Sequence, residues 1–146
     1  MMGKILAYVL FLFALVACDT TYVDVSDEKE FSSMVGSRYR VLQPMIIHGV
    51  TMSQNYGNEI DVYIVSEFPG FDGPEVLLSR TLYPGVELMV DRVSKCKRCM
   101  FEKLRVEIRI VGFTTLIKAP IYLEGFSDRG ESNVLVLDAR YFEQKN

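Results

Sequence analysis

Of 146 residues, 49% are hydrophobic and 24% are charged, with 16 basic and 19 acidic side chains for a formal net charge of −3. That composition excludes a disordered chain, leaves room for one domain, and gives nucleic acid no bulk electrostatic reason to bind. One His and three Cys argue against a multi-His metal centre, and three Cys cannot all pair within one chain.

The chain starts Met1-Met2-Gly3-Lys4, continues as an apolar run from Ile5 to Val16, and reaches Ala17-Cys18-Asp19. A basic residue, a short apolar stretch and small residues form a secretory signal layout over residues 1–17. The run of 12 residues would span about 18 Å as a helix, well short of roughly 30 Å of hydrocarbon, so a permanent span is not expected. Leu15-Val16-Ala17-Cys18 resembles the lipobox of bacterial lipoproteins. The resemblance implies cleavage before Cys18 and lipidation of that Cys, which anchors the mature chain to the cell envelope facing the periplasm. Asp19 resembles an inner-membrane retention signal, and the outer membrane stays open as an alternative. Outside the cytoplasm, nucleotide triphosphates and glutathione are not available, which argues against kinases and most nucleotide-dependent enzymes.

Residues 18–26 read as the lipidated terminus and a short polar tether, and residues 27–146 as a single β-rich domain. Ser26 or Asp27 can cap a helix, acids crowd its first turn, and Gly36 can stop it. Phe31, Met34 and Val35 form a stripe at i, i+3 and i+4, so a short N-terminal helix is expected here. From Arg38 onward the pattern is that of strands. The candidates are Arg38–Ile47, Ile60–Val65, Glu75–Leu82, Val86–Val93, Leu104–Ile110, Pro120–Phe126 and Asn133–Phe142, and Leu104–Ile110 alternates most cleanly. Turn chemistry separates them at Asn55-Tyr56-Gly57-Asn58, Pro69-Gly70, Asp72-Gly73-Pro74, Tyr83-Pro84-Gly85 and Asp128-Arg129-Gly130. The expected fold is mainly β, a small antiparallel β-barrel or β-sandwich of six to seven strands with one short N-terminal helix. Leu82-Tyr83-Pro84-Gly85-Val86-Glu87-Leu88-Met89-Val90 resembles the strand–turn–strand of bacterial SH3-like domains.

Cys96-Lys97-Arg98-Cys99 is the sharpest motif in the domain. In an oxidising compartment it reads first as a disulfide that pins a hairpin tip. A thiol-disulfide oxidoreductase is the second reading, because Lys95, Lys97 and Arg98 favour a thiolate. The residues that follow alternate as a strand, however, instead of opening a helix. Half of a zinc site, with His48 as the one available imidazole, is the third reading. Lys95, Lys97, Arg98, Lys103 and Arg105 make this segment basic, a patch for anionic headgroups or an acidic partner, or a charged, well-solvated tip.

Phe68 and Phe71 sit in a Pro/Gly-rich loop, either as aromatic binding tips or folded back to plug the domain. Tyr56 is a similar candidate. His48 lies among apolar neighbours and reads as a hydrogen-bonded structural residue. Asp61, Glu87, Asp91 and Glu107 fall on polar strand faces, where solvated charges are the default. No nucleophile elbow, H-E-x-x-H or phosphate loop occurs.

The partner-binding candidates are therefore Phe68, Phe71, Tyr56, Lys97 and Arg98. No catalytic residue, metal ligand or small-molecule cofactor is expected. The expected function is a membrane-anchored periplasmic protein-binding module. Its most concrete form is an immunity protein against an antibacterial effector, a plan shared by small envelope lipoproteins. An accessory subunit of an envelope or secretion assembly is the alternative, followed by an oxidoreductase using Cys96 and Cys99.

Overall fold

A computed structural model describes residues 21–99, 103–112, 118–123, 125–129 and 135–145. The signal segment, Cys18 and Asp19 lie outside the described residues. The strands are β1 (Tyr22–Asp24), β2 (Arg38–Val41), β3 (Met45–Val50), β4 (Val62–Glu67), β5 (Val76–Leu82), β6 (Glu87–Cys96), β7 (Leu104–Ile110), β8 (Ile121–Leu123), β9 (Ser127–Arg129), β10 (Leu135–Leu137) and β11 (Phe142–Lys145). Alternation places them: Val106, Ile108 and Ile110 of β7 are buried, and Arg109 between them is exposed.

Nine strands form one sheet in the order β11-β2-β6-β7-β8-β4-β3-β5, with β1 also paired to β6, and β9 and β10 form a separate ribbon. The mainly β expectation holds, with three corrections. The described strands outnumber six or seven. The sheet is not closed into a barrel, since β11 and β5 end the order without pairing to each other among the described residues. It is also not wholly antiparallel, because β4 and β8 run parallel. The turn chemistry at Asp128-Arg129 is overridden too, because both residues belong to β9, paired with β10.

The strand–turn–strand at residues 82–90 is present, but its two strands do not pair with each other. β5 pairs with β3, whereas β6 pairs with β2 and β7. Two connections, Leu42–Pro44 between β2 and β3 and Tyr83–Val86 between β5 and β6, turn the same corner side by side. They are tied by Gly85 N–H to Val41 O (2.8 Å) and Val41 N–H to Val86 O (2.9 Å). Gly85 holds φ +94° there, a conformation that favours glycine. One core cluster takes side chains from both sides of the corner, including Val41, Met45, Val65, Leu82, Leu88, Val90, Ile108, Leu123 and Phe142.

The short helix expected between Ser26 and Gly36 is not formed. Successive turns take its place, with bonds such as Phe31 N–H to Glu28 O (2.9 Å) and Met34 N–H to Phe31 O (2.9 Å). The reason lies on β6. Val25 N–H bonds Val93 O (2.9 Å) and Gly36 N–H bonds Val90 O (2.8 Å), so the excursion must leave and return within three residues of one strand. Three residues of strand span about 10 Å, less than the roughly 15 Å of a straight ten-residue helix. Between these anchors, Ser26 Oγ accepts from Val93 N–H (3.0 Å) on the stretch of the β6 edge that lies between its pairings with β2 and β1. The apolar stripe still does its work, since Phe31 and Met34 are fully buried.

Candidate functional site

Three large apolar side chains reach solvent at the corner, and Met52 and Tyr56 do so in the loop beyond the other end of β3. Leu42 is 42% exposed, Phe68 66% and Tyr83 68%. Register brings the three together. Glu67 and Leu82 both pair with Met45, one from each side of β3. Phe68 follows Glu67, Tyr83 follows Leu82, and Leu42 lies on the turn that enters Met45. The backbones of Phe68 and Tyr83 are thus about 10 Å apart across β3, twice the strand spacing. A polar rim borders them. Gln43 Nε2 donates to Arg140 O (2.9 Å), and the Arg140 guanidinium is held by Asp138. That pairing lowers the Asp138 pKa, mainly through the side-chain hydrogen bond. The Tyr141 hydroxyl bonds the Glu67 carboxylate, which raises the tyrosine pKa.

Phe71, the other aromatic of the loop, folds back. Its ring lies 4.0 Å from the His48 ring, tilted by 38°, and it is 38% exposed. His48 itself is buried. Its Nδ1 is 2.9 Å from Ser79 Oγ and its Nε2 is 3.1 Å from Ser66 Oγ. Phe71 N–H points to Nε2 at 3.4 Å. Gly70 passes so close that a Cβ there would stand 2.5 Å from Nε2, and its φ of +88° favours glycine as well. The segment after Phe68 is therefore a strap laid over the outer face of β3. This accounts for the burial of Ile46 and His48 on that face, within a strand whose six residues are all buried. His48 is a packed, hydrogen-bonded support for that strap.

Burial holds the His48 pKa below the ordinary imidazole value, against a smaller raising effect of Asp72. The folded chain keeps His48 neutral where the unfolded chain takes up a proton. Its contribution to stability is complete above the ordinary value, about 6.5, and is lost as pH falls below it. Denaturation midpoints should fall between pH 7 and 5, by at most about 1.4 kcal/mol per pH unit from this group. His48→Gln should flatten that part of the profile, and an unchanged slope would contradict the assignment.

The remaining candidates stand elsewhere. Tyr56 is 53% exposed in the loop beyond Val50, the opposite end of β3 from Phe68. Lys97 and Arg98 are exposed on the tip after β6. Cys96 and Cys99 are bonded, with Cα atoms 5.8 Å apart. Phe68 and Phe71 thus part company, and Tyr56 joins neither. The four carboxylates on the strand pattern are engaged. Asp61 accepts from Met52 N–H (2.7 Å), Asp91 pairs with Arg109 (3.0 Å), Glu107 with Arg92 (3.8 Å) and Glu87 with Lys145 (3.9 Å). Among the described residues, no group of three or more His, Cys, Asp and Glu could hold a metal ion. Leu42 and Tyr83 were not singled out by sequence; large apolar residues inside a Pro/Gly turn were the available signal.

Removing the disulfide with Cys96→Ser and Cys99→Ser should lower stability by about 2 kcal/mol, the loop-closure value for so few residues. Urea denaturation under oxidising conditions measures it. A redox role without a structural one predicts no change.

Compared with known proteins, the chain matches no family model, no curated protein and no solved structure.

Proposed function

We propose that the chain is a lipid-anchored protein of the bacterial envelope whose β domain binds a protein partner at the corner of Leu42, Phe68 and Tyr83. Its most concrete form is immunity, by blocking an antibacterial effector that enters the periplasm. The observation that carries the proposal is the exposure of three large apolar side chains on adjacent segments of one corner. Isolated apolar residues on a surface need no explanation, but a group of them inside a polar rim matches the anatomy of a protein interface. Tyr and Phe bring large rigid contact areas at little entropic cost. The Leu15-Val16-Ala17-Cys18 motif supports the anchor.

Competition between neighbouring cells tests the reading. Cells that lose the gene should be killed by siblings that keep it. The wild-type gene should restore survival, and a gene carrying Phe68→Ser and Tyr83→Ser should not. Equal survival of the deletion strain, or full rescue by the doubly substituted gene, would overturn the immunity form of the proposal.

A further inference from the structure

We infer that the Cys96–Cys99 tip is a second membrane contact, with Lys97 and Arg98 lying on anionic headgroups beside the anchor. The inference rests on the lipid-anchor reading of Cys18 for its geometry.

The sequence makes the tip basic, and the fold decides what lies beside it. β1 pairs with the last residues of β6, Tyr22 opposite Cys96 and Asp24 opposite Ser94. Lys97 N–H then bonds Thr21 O at 2.9 Å. The Arg105 guanidinium sits 4.0 Å from the centre of the Tyr22 ring and 4.7 Å from that of Tyr122, clamping the start of β1 on the same end of the sheet. Thr21 is three residues from Cys18. In any conformation, three residues reach no further than about 11 Å. A lipid on Cys18 therefore brings the bilayer surface within reach of Lys97 and Arg98, at a distance comparable with the Debye length of about 8 Å in physiological salt.

The charges are suited to that surface. Lys97 and Arg98 are exposed and enclosed in a four-residue disulfide loop, so their backbone is already ordered before any contact. The acid on β1, Asp24, is paired with Arg92 at 3.4 Å. An acidic protein could also meet such charges. The bilayer is favoured because the tether forces it to be adjacent.

Lysine acetylation footprinting of the full chain in vesicles tests the inference. The chain is purified from membranes in detergent and reconstituted either into phosphatidylcholine or into phosphatidylcholine with about one-third phosphatidylglycerol. Lys97 should react several-fold more slowly in the anionic vesicles, and high salt should restore its rate. Lys118 and Lys145 should react equally in both. Arg98→Gln should weaken the tip's attraction about fivefold, the loss expected for one basic side chain, and so reduce the protection of Lys97. Equal reaction of Lys97 in both vesicles would overturn the inference. So would protection that appears only when a protein partner is added. The mass of the N-terminal peptide reports separately whether Cys18 carries lipid. An unlipidated Cys18 sinks the anchor reading, while the Lys97 rates still decide the tip.

Discussion

Phe31→Ala should lower the stability of the domain by about 3–5 kcal/mol, the range for emptying a fully buried Phe site. Phe31 has no solvent exposure and belongs to the core cluster that also holds Val90, Val93 and Leu88 of β6. It is delivered there by a run of turns pinned at Val93 and Val90, not by a self-supporting helix. The site therefore has little freedom to collapse around the lost ring without breaking those backbone bonds. Phe31→Leu keeps most of the volume and should cost roughly 1.5 kcal/mol or less. Chemical denaturation measures both, with a thermal midpoint lower by roughly 10 °C or more for the alanine variant. A loss under about 1 kcal/mol for Phe31→Ala would place the ring outside the cooperative core.

Phe68→Ser and Tyr83→Ser should do the reverse, leaving the fold intact and removing binding. Both side chains are about two-thirds exposed. Each substitution should shift stability by no more than about 0.5 kcal/mol. At an interface, an aromatic anchor of this kind is worth about 2 kcal/mol or more, so either change should weaken partner affinity by about thirtyfold or more. Phe71→Ser separates the roles of the two loop aromatics. It removes the ring stacked 4.0 Å from His48 and should reduce stability, because the strap over β3 loses its packing. Tyr56→Ser, at the other end of β3, should change neither property. Titration calorimetry with the partner and denaturation of the same variants distinguish these outcomes.

Much of the strand content was legible because period-2 alternation is a local signal. Leu104–Ile110 shows it and forms β7, and Val76–Leu82 forms β5 within its expected run. The stripe of Phe31, Met34 and Val35 marks a face that packs on the core, with Phe31 and Met34 buried and Val35 half-buried, but its helical spacing does not give the backbone. Its conformation is set by two attachments on β6, about 60 residues further along the chain. The same kind of distant cause hid the parallel pairing of β4 with β8 and the corner shared by two connections. Met45–Val50 shows no alternation because both of its faces are covered, one by the core and the other, at Ile46 and His48, by the strap that carries Gly70 and Phe71. The candidate site was only half legible. Aromatics in a Pro/Gly loop drew attention to Phe68 and Phe71 equally, and only the packing of Gly70 and Phe71 on His48 separates them. Leu42 and Tyr83 sit in turns far from Phe68 in sequence, and the pairing of β4 and β5 with opposite sides of Met45 is what unites them.

Photo-crosslinking from single positions tests the corner most directly. A photoreactive side chain is placed at position 68, 83 or 56 of the full chain in its native envelope, and the adducts are identified. Positions 68 and 83 should crosslink to the same protein, and position 56 should not. Crosslinks from 56 alone, or none from 68 and 83 in cells that depend on the protein, would contradict a partner-binding corner.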